Sequence, residues 1–149
     1  MDSNNFIIED VTTFTPENAE AIRNLTKQIG NNYHLLTDEE LKELLSSKNT
    51  KIIVAKDMDK IIGMITLTLI RIPYRKKAFL DDVVVDKSYR GHGLGTQLFK
   101  KALDLAKEEK VAYAEFTSAP HRTAANSLYQ KLGFEKKDTN VYRVTFTNE

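Results

Sequence analysis

Three of the six glycines in this chain of 149 residues fall at positions 91, 93 and 95, inside the run Arg90-Gly91-His92-Gly93-Leu94-Gly95-Thr96. Glycine reaches positive φ without strain and lets a ligand come close to the main chain. Apolar residues recur at helical spacing after the run, so the turn opens a helix. The first N–H groups of that helix lack intrahelical acceptors, and its dipole is positive at that end. Amides from Gly91 to Thr96 that converge on one point make a site for a phosphate or diphosphate. Spacing then separates the known solutions. A P-loop needs Lys before its Ser or Thr, and here Thr96 follows Gly95 directly. A dinucleotide fingerprint needs Gly-x-Gly-x-x-Gly and several parallel βαβ units. These glycines alternate, one such crossover is legible, and Glu115 on the next strand imitates only the ribose-binding acid.

Other residues with chemical potential lie on either side of the turn. Asp81 and Asp82 are adjacent on one strand pattern, so regular alternation sends them to opposite faces unless a bulge intervenes. Glu115 lies on the following strand, His121 on the loop after it, and Tyr129 on the last helical pattern. The chain has no cysteine, which removes disulfides, thiolate nucleophiles and cysteine metal sites from consideration. No His-x-x-x-His or similar cluster predicts a metal, and Asp57-x-Asp59 reads as a turn.

Twenty-two basic against 21 acidic residues, for a formal net charge of +1, argue against a nucleic-acid partner. Arg71, Arg75, Lys76 and Lys77 make one basic cluster, read as a solvated loop. The N-terminus lacks a signal-peptide core, and the longest apolar-rich run, IIGMITLTLI, is ten residues, too short for a bilayer. The expectation is a soluble cytoplasmic protein without a membrane partner, folded as one domain over residues 1–149.

Strand patterns cover Phe6 to Val11, Lys51 to Lys56, Ile61 to Ile72, Phe79 to Asp86, Val111 to Thr117 and Val141 to Phe146. Thr15-Pro16 predicts an N-cap and first helical residue, before Ala19, Ala21, Ile22, Leu25 and Ile29 at helical spacing. Thr37 with Glu40 forms a capping box ahead of Leu41, Leu44 and Leu45. Asp57 to Lys60 turns an antiparallel hairpin. The helix after the glycines buries Leu94, Leu98, Ala102 and Leu105, and a last helix, Ala124 to Leu132, stops at Gly133. This order predicts an α/β protein of the α+β mixed-sheet kind, mostly antiparallel and flanked by helices.

Arg90, Gly93 and Gly95 satisfy Arg-x-x-Gly-x-Gly after a strand ending in Val83, Val84 and Val85, and one strand later the chain reads AANSLYQKLGF. The two motifs in this order resemble the GNAT superfamily of acetyl-CoA-dependent N-acetyltransferases, over roughly Lys51 to Phe134 by element order. The resemblance implies the GNAT-type fold, in which the strands before the loop and after its helix splay apart around the pantetheine arm of acetyl-CoA. It implies that main chain from Asp82 through Val83, Val84 and Val85 pairs with that arm. It also implies that the amides of Gly91, His92, Gly93, Leu94, Gly95 and Thr96 hold the diphosphate, with Arg90 beside it. An amide near Val84 would face the developing oxyanion, and Tyr129 matches the acid that protonates the leaving thiolate. Asp81, Asp82 and Glu115 are equal candidates for the base that takes the amine's proton, with His121 after them. A cofactor-contacting Asn of the family falls on Asn126, although the loop SAPHRTAAN is longer than the family pattern.

The acceptor stays open between a small amine and a peptide or protein, since the charges of Asp38 to Glu43 and Arg71 to Lys77 favour opposite partners. A homodimer through the C-terminal strand is a further expectation. A non-catalytic acyl-CoA sensor is the rival reading, disfavoured by Tyr129 and the nearby carboxylates.

Overall fold

A computed structural model describes residues 5–31 and 33–147. Five strands form one sheet in the order β1 to β5: β1 (Ile7–Val11), β2 (Thr50–Asp57), β3 (Lys60–Ile72), β4 (Arg75–Val85) and β5 (Ala114–Glu115). The first three pairings are antiparallel and β4 with β5 is parallel. The helices are α1 (Pro16–Thr26), α2 (Asp38–Ser46), α3 (Leu94–Glu108) and α4 (Thr123–Lys131). The chain divides into two compact units: all the strands with α1 to α3, ending at Phe116, and a second unit from Thr117 that holds α4. None of the described helices is long and apolar enough to cross a membrane.

Local chemistry starts each helix where the sequence predicts. Thr15 Oγ1 accepts the Asn18 N–H at 3.0 Å, with Pro16 at the first helical position, where its missing N–H costs nothing. Thr37 and Glu40 exchange both bonds of a capping box, which holds the Glu40 carboxyl below its ordinary range, chiefly through the Thr37 N–H. Ile29 lies beyond α1 and is exposed, because the helix has already ended at Thr26.

Alternation along β2 divides the core between two faces of the sheet. Ile52 and Val54 join Ala19, Ile22, Leu25 and Leu41 on the α1/α2 side, with Ile61, Met64 and Val84. On the other side α3 packs on β2, β3 and β4 through Leu94, Leu98, Phe99, Ala102 and Ala106, all buried. Each large side chain fully buried here contributes about 1.5–3 kcal/mol. Gly63 lets α3 sit this close: a Cβ there would stand 3.2 Å from the Val84 carbonyl oxygen and 3.3 Å from Leu98 Cδ1.

Two bulges re-aim strands β3 and β4. Between Ala55 and Lys56 the partner residues jump from Gly63 to Ile61, leaving Ile62 unmatched. On β4, Thr66 faces Asp81 and Met64 faces Val84, so Asp82 and Val83 together oppose Ile65. Asp82 takes the left-handed conformation, φ 55°, which Asp tolerates better than most side chains. The bulge reverses the faces: Leu80 pairs with Leu67 on the α3 side, while Val84 belongs to the α1/α2 cluster.

Three expectations need correction. The segment Val141 to Phe146 forms no strand; Val141, Tyr142, Val144 and Phe146 are 68%, 89%, 72% and 90% exposed. Alternation supplies strand propensity, but a strand exists only where another strand pairs with it. For the same reason β5 spans two residues rather than Val111 to Thr117. The basic cluster is not a solvated loop. Arg75 to Lys77 begin β4; Arg75 lies over the rings of Tyr74 and Tyr113, Lys76 pairs with Glu109 at 3.1 Å, and Lys77 with Glu115 at 3.6 Å. The bulge on which the placement of Asp81 and Asp82 depends is present and begins between them, so simple alternation does not relate the two.

Candidate functional site

The glycine turn sits on a braced platform. After β4, Asp86 caps the short 3-10 turn Lys87–Tyr89 by accepting the Ser88 N–H at 2.9 Å. That bond is the main reason its carboxyl stays below the ordinary range. Gln28, beyond the end of α1, donates to Asp86 Oδ2 at 3.3 Å and accepts the Lys87 N–H at 3.1 Å. The Tyr89 hydroxyl donates to Asp57 Oδ2 at 2.9 Å, which raises the pKa of that hydroxyl. The rings of Tyr89 and Phe6 are near perpendicular with centroids 6.2 Å apart, and Lys60 Nζ lies 5.6 Å from the Tyr89 centroid. Arg90 Nε donates to the Val85 carbonyl at 3.1 Å, so the side chain folds back along the end of β4.

From that platform the chain turns through Gly91, φ 88°, and Gly93, φ 75°, conformations that L-residues adopt at a cost. Gly93 is the N-cap of α3 in left-handed geometry and provides no side-chain cap. The first turn of α3 carries no acidic residue, whereas α1 and α2 both do. Among the described residues, no acceptor bonds the amides of residues 91 to 96. Gly95 lies inside the helix without positive φ, and a Cβ there would meet nothing within 4 Å. Open space over uncapped amides at the positive end of a 15-residue helix suits a diphosphate in charge and in room. His92 is exposed, its ring centroid 6.1 Å from that of Phe6.

The free edge of β4 leads away from this turn. Its parallel ladder with β5 ends at Phe79 and Glu115, and among the described residues no strand pairs with that edge from Leu80 to Val85. Unpaired N–H and C=O groups on such an edge can bond the amides of an extended ligand. This region includes Val83, 36% exposed, buried Val84 and half-buried Val85.

The register also places the carboxylates. Asp81 opposes Thr66, two residues from Met64, so it stands on the α1/α2 face. Glu115 pairs with Phe79 and shares that face, where it meets Lys77. Partial burial, and then the Asp82 charge, push the Asp81 carboxyl above its usual range; partial burial does the same for Asp82. Both remain accessible to solvent, as a proton-exchanging group must. Among the described residues no cluster of His, Asp or Glu is spaced to hold a metal.

Tyr129 and Asn126 belong to the second unit, on α4, and both are half-buried. Asn126 Nδ2 donates to the Ala119 carbonyl at 3.1 Å, closing the long loop before the helix. His121 is an exposed turn residue in that loop, and Gly133, φ 96°, ends the helix. The bracing residues Gln28, Asp57, Asp86 and Tyr89 escape a reading of the sequence. Their partners lie up to 59 positions apart, and no motif marks them.

A mixed sheet with a bulged fourth strand, a parallel fifth and an amide-lined turn before α3 defines the architecture of an acetyltransferase domain. The chain belongs to the acetyltransferase (GNAT) family, whose sequence profile matches residues 17–134. It is 36% identical over 91 residues to the L-2,4-diaminobutyric acid acetyltransferase of Marinococcus halophilus, covering 60% of this chain and 51% of that protein. A protein of the same name from Shouchella clausii is 35% identical over 80 residues, covering 54% of this chain and 44% of that protein. The chain thus spans about half the length of these curated relatives. Its fold matches a putative acetyltransferase from Agrobacterium tumefaciens with a TM-score of 0.83 at 19% identity, covering 93% of this chain and 99% of that one. It also matches an aminoglycoside N-acetyltransferase in complex with CoA, TM-score 0.78 at 18% identity, covering 97% of each.

Proposed function

We propose that this protein transfers an acetyl group from acetyl-CoA to a primary amine within a ternary complex, residues 1–149 serving as one acetyltransferase domain. The observation that carries the reading is the uncapped amide turn at the start of α3, continuous with the unpaired edge of β4. In this reading the amides of residues 91 to 96 hold the diphosphate, Arg90 lies beside it, and Val83 to Val85 pair with the pantetheine arm. Asp81 or Asp82 takes the proton of the incoming ammonium. Their raised pKa values move them toward the range of a working base, while Glu115 is already engaged by Lys77.

The free amine attacks the thioester carbonyl, and negative charge gathers on its oxygen, near the bulge amides around Val84. The carbon–sulfur bond then breaks and the thiolate leaves. The family resemblance assigns its proton to the Tyr129 hydroxyl, and the phenolate so formed is restored by the second proton that the attacking nitrogen gives up as it becomes an amide. Relatives named for 2,4-diaminobutyric acid make a small diamine the first acceptor class to test.

The experiment is incubation with acetyl-CoA and a panel of diamines, amino sugars and peptides, following thiol release. Because the chain has no cysteine, its own thiol background is nil. Release dependent on one acceptor class supports the reading; binding of acetyl-CoA without release for every acceptor favours a non-catalytic sensor.

A further inference from the structure

Resting on the reading of the turn as a diphosphate site, we propose that Gln28 is a positioning residue for the acetyl-CoA loop. It is half-buried in the turn after α1, 58 residues from its first partner, and both ends of its carboxamide are used. Nε2 donates to Asp86 Oδ2, and Oε1 accepts the N–H of Lys87. These partners sit at the hinge where β4 gives way to the 3-10 turn. The same Asp86 receives the Ser88 N–H, and its backbone N–H donates to Ile62 at 2.8 Å.

A carboxamide suits this place because it offers a donor and an acceptor side by side. Glutamate would lose the donor and set a second carboxylate against Asp86; an apolar side chain would lose both bonds. Two further braces act on the loop, Tyr89 to Asp57 and Arg90 to Val85, but both start from within it. Gln28 reaches it from the end of α1, on the sheet face opposite α3.

Fixation of α1 does not depend on this side chain, since Ala19, Ile22 and Leu25 already bury its apolar face. What Gln28 holds is the approach to Gly91 and Gly93. With no side-chain cap at Gly93, the convergence of the amides rests on the path of the preceding residues.

The test uses Gln28→Met, which keeps length and volume and removes both polar atoms, with Gln28→Ala as a second variant. Binding of CoA is followed by calorimetry, exchange of the amides of residues 86 to 93 by hydrogen–deuterium mass spectrometry, and turnover at saturating substrates. Loss of two ordinary hydrogen bonds predicts about fivefold weaker CoA binding. Loop exchange should quicken, kcat should stay within about twofold, and the melting temperature should fall modestly, as the loss of two hydrogen bonds requires. Tyr89→Phe should act in the same direction, with a non-additive double variant because both brace one loop. Unchanged CoA affinity in both Gln28 variants, unchanged loop exchange, or a loss confined to kcat would overturn the assignment. If the wild-type chain itself binds no CoA, the reading of the turn fails instead, and loop exchange still tests the brace.

Discussion

Replacing Gln97 by Glu tests the anion site with almost no change of shape. Gln97 is exposed at the fourth position of α3, three residues past Leu94 and so about 4.5 Å further along the axis. A carboxylate there lies on the order of 7 Å from a diphosphate seated on the first amides. At an effective dielectric of about 20, each pair of unit charges at that range repels by about 2.4 kcal/mol. Salt near physiological strength removes somewhat more than half of this, and the diphosphate carries about two charges, leaving roughly 2 kcal/mol. KM for acetyl-CoA should therefore rise about 30-fold at about 0.15 M salt, and the ratio to wild type should shrink as salt increases. Stability should move the other way. An acidic residue in the first turns gains about 0.3–1 kcal/mol from the helix dipole, with added support from Lys101 four residues on. Steady-state kinetics across a salt series and thermal melts of the same preparation check both halves. A variant with a raised Tm and an unchanged KM at low salt would refute placement of the diphosphate at the start of α3.

The other expectations concern the chemistry and the packing. Tyr129→Phe should lower kcat by about 10²-fold while KM for acetyl-CoA moves little, read from initial rates of thiol release. Asp82→Asn keeps a side chain that tolerates φ 55° and removes a carboxylate whose folded pKa is raised. Such a group contributes stability that is present below its unfolded pKa and lost as pH rises through the folded value. The Asn variant should therefore melt higher than wild type at pH 7, the difference vanishing in acid; equal melting at both pH values would contradict it. Asp81→Asn and Asp82→Asn, compared in pH profiles of kcat/KM, should separate the base from its neighbour, since loss of the base removes the acidic limb. Gly63→Val should cost about 1–3 kcal/mol in denaturant unfolding, because its side chain meets the Val84 carbonyl and Leu98.

Much of this protein is written in local sequence. Thr15-Pro16 and the Thr37–Glu40 box start α1 and α2 where they stand because capping involves residues within four positions of one another. The hairpin at Asp57 to Lys60 and the positive φ at Gly91 and Gly93 are local in the same sense. The glycine turn and its following helix, where the proposed diphosphate site lies, are thus legible from residue types and spacing. Tertiary structure decided what depends on partners distant in sequence. The bulge at Asp82 arises from the register of β4 on β3, and it reverses the alternation that would otherwise assign Asp81 and Asp82 to faces. β5 shrinks to two residues and Val141 to Phe146 stays exposed because β-rich composition makes a strand only where a neighbour pairs with it. Gln28, Asp57 and Tyr89 meet the loop across long stretches of chain, which no local pattern encodes. Helix caps and turns obey short-range hydrogen bonding, whereas register, bulges and braces are settled by which surfaces the folded core brings together.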